Sequence, residues 1–273
     1  MSFLIESGFL HGCVAKTRES LVKEQLYLLL LAQFTSFMNP NYPFKWRHFQ
    51  SKIILLGVRW YLRYPLSYRN LEEMMMERGL TVDHSTVYRW VQAYAPELDK
   101  RCRAYLKQTN DSWRVDETYI KVKGEWKYLY RAVDSSGNTL DFMLSAKRDA
   151  RAAKRFFRKA LNATHNQEPR VINVDKNAAY PLAIDELTEN KTLAKTTQLR
   201  RVKYLNNIVE QGHRFIKRLV NPGMGFGSFN TARRTLRGYE AMNMIRKGQI
   251  FGVAKVDIQA QVGFVYQIFG VVA

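Results

Sequence analysis

At Trp113 the hydrophobic period of the chain changes, and this switch constrains the fold more than any other feature. Upstream, apolar residues recur at helical spacing: Ile53, Ile54, Val58, Tyr61 and Leu62 share one face of a segment from His48 to Tyr64, which Pro65 ends. Ser67 can cap a second helix, with Leu71, Met74 and Met75 inward and Gly79 suited to its C-terminal cap. After the turn Leu80–Asp83, Asp83 can cap a third helix running from His84 to Gln92, and Pro96 is expected to start a separate one bearing Lys100, Arg101 and Arg103. A helix, a glycine-bearing turn and a helix with polar residues in its first turn match a helix-turn-helix; a plain helical hairpin that only packs matches the same pattern.

Downstream, the period is two. Arg114–Val122, Trp126–Val133 and Thr139–Ser145 read as strands, with the turn residues Asp134–Asn138 between the last two. A helix follows, with Ala150, Ala153, Phe156, Phe157, Ala160 and Leu161 on one stripe and Arg151, Lys154, Arg155, Arg158 and Lys159 on the other side. Next come a short strand Val171–Val174, a helix from about Ala178 to Glu189, a strand at Arg200–Tyr204 and a helix from about Ile208 to Leu219. Three antiparallel strands followed by alternating helices and strands predict a mixed α/β sheet of the RNase H-like kind, preceded by an all-α DNA-binding domain. A last long helix, capped near Asn230 and running to Lys247, turns Leu236, Tyr239, Met242 and Ile245 inward. The expected divisions are an atypical extension over 1–37 with a natural start at Met38, a helix-turn-helix domain over 38–110, a catalytic core over 111–222, and a C-terminal helix and tail over 223–273. The hydrophobic tail from Ile250 is not expected to be a required part.

The chain of 273 residues carries a formal charge of +19, which predicts polyanionic partners and salt-dependent binding. The charge is local. Residues 1–37 are balanced, whereas thirteen bases against two acids give 191–250 a net +11. Two cysteines, Cys13 and Cys102, make neither a disulfide framework nor a zinc site and fit a reducing cytoplasm. The apolar run Leu26–Phe37 is shorter than the ~20 residues of a membrane span, and Glu19 and Glu24 stand where a signal peptide would be positive. Neither export nor a membrane anchor is expected.

Within this basic chain three acids stand out. Asp116 lies on the first strand, Asp175 at the end of the fourth, and Glu210 on a helix, the only carboxylate between Glu189 and Glu240. Strand ends in α/β sheets collect catalytic groups. Two or three carboxylates suffice for Mg²⁺, which keeps several waters, and two such ions ~4 Å apart serve phosphodiester chemistry. Strand alternation sends Glu117 to the face opposite Asp116, as a surface or supporting residue. Each acid also has an ordinary reading: Asp116 as a strand-end acid, Asp175 as a helix cap, Glu210 as the i+4 partner of Arg214. Lys217, two turns after Glu210, faces either phosphate or solvent. His213 reads as a packing or DNA-facing histidine rather than a ligand.

The stretches WRVDETYIKV, YLYRAVDSSGNTLDF, VINVDKNAAYP and RRVKYLNNIVEQGHRFIKR resemble the DDE transposases of bacterial insertion sequences, with the IS-six family as the nearest pattern. LSYRNLEEMMMERGLTVDHSTVYRWVQAYAPEL resembles that family's helix-turn-helix, and GFGSFNTARRTLRGYEAMNMIRKGQ its closing helix. The resemblance runs from about Met38 to Gln249. It implies that Asp116, Asp175 and Glu210 are the metal-binding catalytic triad, loaded with two Mg²⁺ ions or, in their place, Mn²⁺. It also implies that Lys217, with Arg214 and Arg218, touches substrate DNA, and that His84, Ser85, Thr86, Tyr88 and Arg89 are candidates for reading the terminal inverted repeats. The implied activity is cleavage of one strand at each element end and transfer of the freed 3′-OH to target DNA. A homo-oligomer on paired ends and a nucleoid-associated protein are implied as well. Two other functions share parts of this pattern: a non-catalytic DNA-binding repressor of the element, and an RNase H-like nuclease without strand transfer.

Overall fold

The computed structural model describes residues 43–272 apart from 46 and 203–206. The extension 1–37, the start at Met38 and the last two residues of the strand expected at Arg200–Tyr204 lie outside the described residues.

The described residues open with three helices, α1 (Ser51–Arg63), α2 (Tyr68–Met76) and α3 (His84–Cys102). Their ends follow local chemistry. Tyr64, forced to an extended conformation by the following Pro65, closes α1. Ser67 and Asn70 form a reciprocal capping box at the start of α2. At its end Gly79 takes φ +72°, so that its amide reaches the Met76 carbonyl while that of Leu80 reaches Met75, a Schellman closure. The Asp83 carboxylate accepts from the Ser85 amide to start α3.

Helix α3 does not restart at Pro96; it runs through it. Proline removes one intrahelical hydrogen bond, but Val91, Tyr94, Ala95 and Leu98 are buried on both sides of it. Tertiary burial overrides the local break.

Five strands follow: β1 (Ser112–Val122), β2 (Glu125–Asp134), β3 (Thr139–Ser145), β4 (Val171–Val174) and β5 (Gln198–Arg201). They form one sheet in the order β3-β2-β1-β4-β5. The first three are antiparallel; β4 is parallel to β1 and β5 to β4. This is the mixed sheet expected of an RNase H-like core. The last strand starts two residues earlier than its apolar pattern suggested, because Gln198 and Leu199 pair with Val171 and Ile172.

Helices α4 (Ala150–Leu161) and α5 (Ala179–Glu189) cover one face of the sheet. There Phe156, Phe157, Tyr180 and Leu187 pack on Trp113, Val115 and Tyr130. The other face receives α6 (Asn207–Val220) and α7 (Phe229–Arg246). Ser228, not Asn230, caps α7, its hydroxyl accepting from the Thr231 amide. The core on this face is continuous with α1–α3, so that Ile120, Leu129 and Phe142 share one apolar cluster with Leu62, Val91, Leu236 and Tyr239. A further helix, α8 (Ile258–Ile268), places Phe264, Val265 and Ile268 in that cluster. The tail is thus part of the helical core. Among the described residues no helix is long and apolar enough to cross a membrane.

Candidate active site

The site lies where the sheet splits. Strand β1 pairs with β4 only through Ser112–Arg114 against Val171–Asn173. Strand β4 then ends at Val174, leaving a gap beside β1. Asp175 follows the strand end directly, and Asp116 and Glu117 stand just past the last paired residue. Side chains from both faces of β1 can turn into the same space, and carboxylate oxygens of Asp116, Glu117 and Asp175 lie within 4.8 Å of one another.

Of the two expectations for Glu117, surface or supporting, the structure shows the second: it is buried. Arg148 Nε donates to its Oε1 and the Tyr180 hydroxyl to its Oε2. Asn177 Nδ2 lies 3.4 Å from Oε1. The second guanidinium nitrogen of Arg148 reaches Asp175 Oδ2 at 3.3 Å, so one arginine bridges two acids. Asp175 does not cap α5. Its Oδ1 accepts from the Asn177 amide at 3.0 Å, and the Asn177 side chain in turn accepts from Ala179 at the start of the helix.

Asp116 points to the opposite face, toward α6. Burial pushes its carboxyl up to about 7. Its bond from the Glu117 amide, at 2.8 Å, opposes the rise. The neighbouring charges of Glu117, Asp175 and Glu210 reinforce it. His213 Nδ1 is 3.9 Å from Asp116 Oδ2. Burial, with help from Arg131 and Lys217, holds that imidazole down to about 3. The histidine is therefore neutral at physiological pH, and the contact is packing rather than an ion pair.

Glu210 sits in the first turn of α6, exposed. The described ion pairs do not join it to Arg214, so the simple i+4 pairing does not account for it. It shares one exposed helix face with Arg214, Lys217 and Arg218, while Val209, Gly212, His213 and Ile216 turn inward. What fixes this helix lies beneath it. Arg131, directly across the ladder from Asp116, is fully buried and joined to the equally buried Glu240 of α7, Nη2 to Oε2 at 3.0 Å. Its guanidinium is turned away from Asp116 and lies under α6. A Cβ on Gly212 would stand 2.0 Å from Arg131 Nη1, so only glycine lets the helix come this close.

Of the residues expected to read DNA, His84 is engaged locally, Nδ1 lying 3.2 Å from Glu72 Oε2. Ser85 and Thr86 are half-buried, and Tyr88 and Arg89 are exposed on α3. Tyr88 also packs edge-on against Tyr68 with ring centroids 5.5 Å apart. Sequence reasoning missed Arg148, Tyr180 and the Arg131–Glu240 pair. Arg148, one of two bases between a strand and a helix, was a visible but weak signal; the partners of Glu117 and Arg131 are too distant in the chain to show.

The donor set fits a hard divalent cation. It consists of carboxylate oxygens only, and an acid that burial and like charges hold partly protonated gains from a cation placed among them.

A family model described as a DDE domain matches residues 110–249. The chain is 40% identical over 207 residues to the transposase for insertion sequence-like element IS431mec of Staphylococcus aureus strain Mu50, spanning 76% of this chain and 89% of that protein. Identity and coverage are the same for the transposase for insertion sequence element IS257 in transposon Tn4003 of Staphylococcus aureus. Among solved structures, the HTLV-2 integrase catalytic core domain in complex with magnesium (trimeric form) is similar at 16% identity and a TM-score of 0.40, over 59% of this chain and 97% of that one.

Proposed function

The chain belongs to the DDE transposases of bacterial insertion sequences, and on that premise we propose that Asp116, Asp175 and Glu210 form its metal-binding catalytic triad, acting on the terminal inverted repeats of its element. The observation that carries this reading is the meeting of the Asp116 and Asp175 carboxylates in the gap beside β4, with Glu210 close enough to raise the Asp116 carboxyl.

Asp116, Asp175 and Glu210 would hold Mg²⁺, or Mn²⁺ in its place. Such ions supply activation of an attacking oxygen and charge stabilisation at the leaving one. The residues of the chain do the rest. Arg214, Lys217 and Arg218 line the exposed face of α6 and grip the phosphates flanking the scissile bond. Glu117, locked by Tyr180 and Arg148, keeps Arg148 against Asp175 and thereby orients that carboxylate. His213, neutral and buried, fills the space behind Asp116 without competing for it.

The reaction is hydrolysis of one phosphodiester at each element end, followed by attack of the freed 3′-OH on a target phosphodiester. Helices α2 and α3 act as the helix-turn-helix, presenting His84, Ser85, Thr86, Tyr88 and Arg89 to the repeat. A homo-oligomer holds two ends together. In a cleavage assay with labelled terminal repeat and Mg²⁺, Asp175→Asn is expected to abolish strand cleavage while leaving binding to the repeat nearly intact. A variant that still cleaves removes Asp175 from the triad.

A further inference from the structure

Beyond the acid site, the α4/α5 face of the sheet continues outward without cover. Cross-strand pairing places Glu117 opposite Tyr130, Tyr119 opposite Tyr128, and Lys121 opposite Trp126. All six side chains share this face. The inner pair is buried under α4 and α5, Tyr128 is half-buried, and the outer aromatics are open: Tyr119 is 46% and Trp126 60% exposed. Their rings lie 6.2 Å apart, and those of Tyr119 and Tyr128 5.5 Å apart. Exposed aromatics grouped in this way, unlike singly scattered ones, mark an interaction site.

The surroundings are cationic. Lys121 is exposed on the same face. Arg148, which bridges Glu117 and Asp175, interacts electrostatically with Tyr119. Arg155 reaches Ser145, the partner of Tyr128 on β3. The one acid at the outer end, Glu125, is neutralised by Lys127 at 2.7 Å. Aromatic faces interleaved with bases are the recurring solution for unpaired nucleic acid, because every base offers a π-face to stack on. A protein partner would be served equally by the rings but not by the cations. Tyr119 follows Glu117 by two residues, about 7 Å along the strand, and Arg148 joins Glu117 to Asp175, so an unpaired strand leaving the acid site past Asp175 would lay its next bases here.

We propose that Tyr119, Trp126 and Tyr128, rimmed by Lys121, Arg148 and Arg155, form a stacking platform for unpaired bases of the DNA strand that enters the acid site. The proposal rests on the placement of that site between Asp116 and Asp175, but its test does not require cleavage. The full chain is titrated in chelator with a duplex bearing a short oligothymidylate overhang and with the same duplex blunt. The expected result is that Trp126→Ala weakens overhang binding about tenfold and leaves blunt-duplex binding unchanged. Trp126→Phe restores the overhang affinity, and Tyr119→Ala reproduces the loss. Equal affinity of wild type and Trp126→Ala for the overhang overturns the proposal, as does an equal loss on both probes. A change in the sedimentation of the DNA-free protein on Trp126→Ala, with overhang binding intact, would make the face an interface between copies and also overturn it. Thermal unfolding of each variant separates lost stacking from lost fold. Because no bond is broken in chelator, failure here leaves the Asp175→Asn outcome standing, and the reverse.

Discussion

Glu117 and Glu210 approach the same aspartates from opposite faces of the sheet, and they are held by opposite means. Glu117 is immobilised through its own carboxylate, which is saturated by Arg148, Tyr180 and Asn177. Glu210 is exposed, and its position is set through its helix, which lies on the buried Arg131–Glu240 pair. A carboxylate with most of its lone pairs engaged makes a poor cation ligand and a good brace. One on a rigid helix with its oxygens unspent makes the better ligand. Proximity among acids alone would have chosen Glu117, since its oxygens are the ones grouped with those of Asp116 and Asp175.

The comparison breaks most visibly at the strut under Glu210. Glu240→Ala leaves Arg131 charged and unpaired in a fully buried site, a loss expected at about 3–5 kcal/mol. Chemical denaturation should show it as a lower midpoint with an unchanged slope; a loss under ~1 kcal/mol would mean that the pair does not set α6. On the other side, Tyr180→Phe removes one partner from the buried Glu117 and is expected to cost about 1–3 kcal/mol. Its cleavage rate should fall only as far as the orientation of Asp175 depends on that brace. A rate loss as deep as that of Asp175→Asn would make Glu117 a ligand rather than a brace.

The smallest effect concerns protons. In metal-free protein the folded-state Asp116 titrates at about 7 against an ordinary 3.8. The folded form therefore holds a proton that the unfolded chain has released, and stability falls as pH rises across that window. His213, about 3 when folded against 6.5 ordinarily, acts with the opposite sign: its contribution is lost as pH falls from 6.5 toward 3. The two offset one another over their shared range, and only the Asp116 cost persists above about 7. A divalent cation binds the ionised form, so the rise in Tm on adding Mg²⁺ should be larger near pH 8 than near pH 5. Asp116→Asn should erase that difference. An equal shift at both values in the wild type would place the cation elsewhere.

Much of this was legible along the chain. Asp83 caps α3 and Ser67 caps α2 as their positions implied, because capping is a matter of two or three residues. Strand alternation put Asp116 and Glu117 on opposite faces, and it was right; it left open whether the far face at Glu117 was surface or support. Whether a strand face is covered depends on α4 and α5, which lie more than thirty residues away. Pro96 was misread for the same kind of reason. The local cost of a proline is readable from sequence, whereas the burial of Val91 and Leu98 that outweighs it is not.

The sequence by itself determined the order of elements, an acid on the first strand, one at the end of the fourth and one at a helix start, and the basic face of α6, since each follows from spacing along a regular element. Only the tertiary structure decided that β4 stops short beside β1. That gap lets residues from both faces of one strand meet Asp175. The tertiary structure also decided that Arg131 is turned to Glu240 rather than to Asp116 across the ladder. The reason is physical: periodicity records which way a side chain points, but its charge state and partners depend on what other segments bring against it.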